Sequence, residues 1–165
     1  MQRKYKPETC AHCRQTTTYI LGLDRGSFLI LRKLLAGVIA KGRNEIHPTK
    51  DIEYSTKEKW LPSNVARPRK HGLIAFIDGK KGYYALTRKA GKFLRGQPIP
   101  RYAIISKSEN RTLGYFEPEM HQVTARELMR SDEIPYWEGE LAQAGSVLDV
   151  IDPRDSEAAP LSLFK

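Results

Sequence analysis

Residues 69–91 read RKHGLIAFIDGKKGYYALTRKAG: two short apolar runs around a lysine-rich turn, with cations at both ends. The apolar run over 73–77 and the aromatic run over 83–87 predict two strands. Asp78-Gly79 between them accepts the positive φ that a tight hairpin turn requires. Gly72 ends the element before the hairpin. Thr87 caps a helix predicted over 88–95, which Gly96 closes.

The charge of the chain gathers at this hairpin. The 165 residues carry a net charge of +9, and segment 59–95 holds ten cations against a single anion, Asp78. Elsewhere cations and anions balance, so the whole excess is local. A basic face of this kind points to a polyanion, most often nucleic acid; the plainer alternative is a solvated basic surface. No apolar run reaches membrane-spanning length and the N-terminus has no leader-like apolar stretch. The expectation is a soluble, cytoplasmic, nucleoid-associated protein with no membrane partner.

Outward from the hairpin, Asp24 is placed to cap a helix on which Phe28, Leu31, Leu34, Leu35, Val38 and Ile39 recur at helical spacing, ended by Gly42. Ile46 opens a short strand. Thr49 offers a cap for a second helix carrying Ile52, with Ser55-Thr-Lys-Glu58 as a rival capping box. Leu61 and Val65 indicate a third short helix starting near Pro62 and Ser63. Residues 97–100 read as a linker. Two paired strands, 101–106 and 113–116, follow across Glu109-Asn110-Arg111, then Val123 and a helix capped by Thr124 with Glu127. The expected class is α+β with four parts: an N-terminal segment 1–22, a central domain 23–96, a small β-rich extension 97–138, and a disordered tail 139–165 that is rich in Ala, Gly, Ser, Asp and Pro.

The order helix, short strand, helix, helix, strand, lysine turn, strand, helix resembles the winged helix-turn-helix superfamily of DNA-binding domains over residues 24–96. Arg69-Lys-His-Gly-Leu-Ile74, Tyr84-Ala-Leu-Thr87 and Gly91 carry the resemblance. It implies a recognition helix running into a wing, with duplex DNA as partner and a homodimer as a common arrangement. The contacts it implies are Asn64 and Arg67 at base edges, Ser63, Arg69 and Lys70 at phosphates, Lys80 and Lys81 at the backbone from the wing tip, and Arg88 and Lys89 opening the next helix beside it. Pro68 departs from the family, which has a core leucine there. It predicts a recognition helix that is kinked or very short and weakens base-specific readout.

Two further features stand apart. Cys10 and Cys13, with His12 between them, have half of the ligand spacing of a structural zinc site; His47, His71 and His121 would have to complete it at irregular spacing, and a pair of reduced thiols is the alternative. At the end of the chain, Leu161-Ser-Leu-Phe164 resembles the bacterial sliding-clamp-binding motif Gln-Leu-Ser/Asp-Leu-Phe, with Pro160 in place of the glutamine. That resemblance implies a clamp groove holding Leu161, Leu163 and Phe164. No phosphate loop, nucleophile elbow or HExxH pattern is present, and Asp51 and Glu53 beside Lys57 and Lys59 read as solvated surface, so no enzyme is expected. The functional expectation is a DNA-binding protein, a transcription regulator or accessory replication factor of a bacterium or phage. The alternative is a protein-binding adaptor that docks on a sliding clamp through its tail.

Overall fold

The helix predicted after Asp24 forms as α1, Arg25–Lys41, in a computed structural model that describes residues 4–151. Asp24 accepts from the Ser27 backbone and hydroxyl at 2.9 and 2.8 Å, so one carboxylate oxygen satisfies an orphan N–H of the first turn. Gly42 closes the helix at φ 73°, and its N–H returns to the Val38 carbonyl. Phe28, Ile30, Leu31, Leu34, Leu35 and Val38 are buried, which makes α1 the axis of the core.

The second helix does not form. A single turn over residues 47–51 takes its place. His47 Nδ1 accepts from the Thr49 and Lys50 backbones, while Asp51 accepts from the His47 N–H at 2.8 Å. The rival capping box prevails: Ser55 and Glu58 cap each other around a 3-10 turn, Thr56–Glu58. A second 3-10 turn, Leu61–Asn64, leads into α2, Ala66–Lys70. Pro68 lies in the first turn of α2, where an N–H would have no intrahelical partner. As the third residue of a five-residue helix it is therefore accommodated without a kink.

The predicted hairpin is present, trimmed by a residue at each end: β2, Ile74–Phe76, and β3, Tyr84–Leu86, pair antiparallel in the register Ile74 with Leu86 and Phe76 with Tyr84. Gly79 and Gly82 take φ of 77° and 82° in the turn. Ile46 bridges Tyr84 on the other edge of β3. Asn44, buried, donates to the Leu86 carbonyl and accepts from the Leu86 N–H, both at 2.8 Å, and so pins β3 in place. Thr87 caps α3, Arg88–Leu94.

The terminal parts do not stand apart. The strand Thr18–Gly22, β1, pairs with β5, Tyr102–Ser106, which pairs with β6, Arg111–Tyr115, giving an antiparallel sheet in the order β1-β5-β6. The short strands β4, Ile99–Pro100, and β7, Gln122–Val123, pair with each other. The N-terminal segment and the extension thus share a sheet, and the extension shares the core of α1 through Ile99, Val123, Ala125 and Leu128. The helix predicted at Thr124 is reduced to a 3-10 turn, Arg126–Leu128, closed by reciprocal Thr124–Glu127 bonds.

Residues 139–151 correct the expectation of a disordered tail. They belong to α4, Ile134–Gln143, and α5, Gly145–Ile151, and Ala144, Leu148 and Ile151 are buried in the same core. Small and polar residues mask the sparse apolar positions that dock there. Trp137 of α4 meets Phe28 edge to face at 5.3 Å, and Arg25 and Arg32 of α1 pair with Glu133 and Glu140. The described residues form an α+β fold of five α-helices and small antiparallel sheets. None of its helices is long and apolar enough to cross a membrane.

Candidate nucleic-acid interface

The hairpin projects Lys80 and Lys81 at its turn, as its sequence predicts. The two differ in surroundings. Lys80 pairs with Glu45, whose carboxyl the lysine holds below the usual carboxylate range. Lys81 is exposed and has no ion pair or hydrogen bond among the described residues. The turn therefore presents one unneutralised cation and one that a phosphate would have to win from a carboxylate.

The segment before the hairpin is packed on two sides. The first turn of α1 crosses residues 60–64 so closely that a Cβ at Gly26 would stand 2.7 Å from Asn64 Nδ2 and 3.0 Å from the Trp60 ring. Asn64 is thus placed against α1. Arg67 is turned inward: its Nη1 donates to the Gly22 carbonyl at 2.6 Å, and its Nε lies 3.5 Å from Asp24. Asn64 and Arg67, expected at base edges, are thus both engaged within the fold. Asn64 ends the 3-10 turn and Arg67 lies in the five-residue α2, so one continuous recognition helix does not carry the two. Ser63 Oγ is exposed but donates to the Trp60 carbonyl at 2.6 Å.

The C-terminal end of α2 is tied to the three-stranded sheet. Thr112 of β6 donates to the Lys70 carbonyl, and Lys89 Nζ donates to the His71 carbonyl at 2.7 Å and to the Tyr115 hydroxyl at 2.6 Å. Lys89 also lies over the Tyr115 ring at 4.3 Å, so its ammonium ties α3 to the three-stranded sheet. Lys70 donates to Asn110 at 2.7 Å and reaches the Tyr19 hydroxyl at 3.3 Å. His71 is fully buried beside these groups. Burial pushes its imidazole down to about 4, so the ring is neutral at pH 7 and Nε2 donates to the Leu21 carbonyl at 2.8 Å.

Arg69 remains half-exposed, its guanidinium 4.7 Å from the centroid of the Phe76 ring. Arg88 is exposed at the start of α3. Phe76 and Trp60, both exposed, were not among the expected site residues. The same parity that buries Ile74 places Phe76 on the core-facing side of the hairpin, and only the position of the core's edge leaves it uncovered.

The cysteines lie on a tight loop between Thr9 and Thr16, which bridge each other. The Cys10 N–H donates to the Gln15 carbonyl, and Arg14 turns at φ 59°. Backbone hydrogen bonds from Cys13 and His12 and the Cys13 thiol hold the Cys10 thiol below its usual range. Among the described residues no group of three or more His, Cys, Asp or Glu could hold a metal ion. The histidines that would complete a zinc set are engaged elsewhere: His47 against Tyr83, His71 against Leu21, His121 stacked on Phe116. The residues present do not fit a structural zinc. Leu161, Leu163 and Phe164 lie outside the described residues.

A groove of about 530 Å³ runs along the outer face of α1, lined by Leu29, Ala36, Ile39 and Ala40 and rimmed by Lys33 and Glu58. Compared with family models, with curated proteins and with solved structures, the chain matches none. The class that its architecture defines is an α+β fold with a basic hairpin.

Proposed function

We propose that this protein binds DNA through the basic hairpin and the cations around it, as a wing of the winged-helix kind, and serves as a regulator or accessory replication factor. One observation carries the reading: the whole net charge of the chain lies in segment 59–95, and the turn at the tip of its hairpin holds the exposed Lys81. Phosphate neutralisation at such a tip releases counterions and needs no particular sequence. With Asn64 packed against α1 and Arg67 held by Gly22 and Asp24, the binding is sequence-tolerant. Gel shifts with duplex DNA over a series of salt concentrations test it. Affinity that falls steeply with salt and weakens with Lys80→Ala/Lys81→Ala supports the reading; no binding at low salt ends it.

The α1 groove favours a second reading, a protein-binding adaptor, since its apolar floor is open to solvent. A pull-down with the bacterial sliding clamp, with and without residues 160–165, tests the clamp as its partner. Retention after the deletion dismisses the terminal motif.

A further inference from the structure

The core-facing side of the hairpin runs past the end of the core. Ile74 and Leu86 pair across the strands and are buried, while the next pair on that face, Phe76 and Tyr84, lies beyond the edge. Phe76 is 59% exposed. Its ring stacks on Tyr84 with an interplanar angle of 29° and centroids 5.2 Å apart, so the two aromatics stiffen each other. The Arg69 guanidinium, a permanent cation, lies over the same ring, 4.7 Å from its centroid.

A large exposed ring, backed by a second ring and flanked by a guanidinium, has the parts of a stacking site for a nucleobase. The Arg69 guanidinium that lies over the ring marks where a base would stack: a base takes its place, and the long side chain then reaches the phosphate beside it. Charge selects among occupants: an apolar protein surface gains nothing from Arg69, and the segment around the ring carries ten cations against one anion. A base inside a duplex has both faces covered by its neighbours, so only an unpaired one can use the ring.

We propose that Phe76, backed by Tyr84 and flanked by Arg69, stacks an unpaired base of single-stranded DNA, so that the preferred substrate is a duplex with an adjoining single strand. This rests on the DNA-binding reading above and names its substrate class.

The test is fluorescence anisotropy of the full chain with a blunt duplex, the same duplex carrying a thymidine tail, and the tail alone. The tailed duplex should bind about tenfold tighter than the blunt one. Phe76→Ala and Phe76→Leu should remove that preference and leave blunt-duplex affinity unchanged, and Phe76→Tyr should keep it. The leucine variant retains apolar area without a π-face, and a thermal melt checks that each variant is folded. Equal affinity for tailed and blunt probes, or a preference that survives Phe76→Leu, overturns the stacking site. If Lys81→Ala still weakens both probes in that case, the DNA reading stands without it. Failure to bind any probe at low salt overturns both.

Discussion

The Arg67 guanidinium donates to the Gly22 carbonyl at 2.6 Å and joins the helix before the hairpin to the strand at the start of the chain. A side chain in this arrangement serves the fold. Arg67→Ala should cost about 1–3 kcal/mol of stability, because it removes a charge-assisted bond at a partly buried carbonyl. Urea unfolding measures the cost. If the variant is folded, its DNA affinity should fall no further than its loss of one cation requires, and its preference among duplex sequences should be unchanged.

The Lys80–Glu45 pair gives the hairpin tip a masked charge. Glu45→Gln should release Lys80 and strengthen DNA binding at low salt, steepening the dependence of log affinity on log salt by about 0.9 if the lysine then meets one phosphate. Lys81→Ala should flatten the same slope by a similar amount. An unchanged slope in both variants would place the DNA contact away from the turn.

His71 makes stability depend on pH. Its folded pKa of about 4 lies below the ordinary value of 6.5, so between these values the unfolded chain binds more protons than the folded one. The stabilisation is complete above pH 6.5 and is lost progressively as pH falls toward 4. Between pH 7 and pH 5 the loss should be about 2 kcal/mol. Urea midpoints at the two pH values, for the wild type and for His71→Gln, measure it. The variant should be less stable at pH 7 and less sensitive to the change.

α5 makes a further test. Leu148 is buried at the centre of its contact with the rest of the core. Leu148→Ala should cost about 2–5 kcal/mol by leaving a cavity. The same substitution in an unstructured tail would cost nothing, so thermal melts separate the two arrangements directly.

Much of this architecture was legible from local patterns. The Asp24 cap, the helical spacing to Val38 and the Gly42 stop mark α1, because capping chemistry and periodicity act within a few residues. The hairpin was equally legible, since Asp78-Gly79 between two apolar runs is a local signal. The second helix was not: Thr49 and Ser55 offered competing caps, and the Asp51 N–H, a donor that a Thr49 cap would accept, instead closes a turn on the His47 carbonyl. The helical end at 139–151 was obscured by composition, because a helix with few apolar positions declares itself only against the surface that buries them.

The candidate site divides in the same way. The concentration of cations and the lysines at a turn are properties of the chain, readable without coordinates. Which cations face outward is not. Arg67 and Lys89 lie in the same basic segment as Lys81, yet the first reaches Gly22 and the second Tyr115, both distant in sequence. Phe76 and Ile74 share a face and an apolar character, and only the edge of the core separates the exposed ring from the buried side chain.

By itself the sequence determined the local elements, the hairpin and the sign and place of the charge, because propensity, capping and turn chemistry depend on near neighbours. The tertiary structure alone decided the joining of β1 to β5, the inward turn of Arg67 and the exposure of Phe76. Each of these depends on which distant surface a residue meets, and burial is a property of the packed whole.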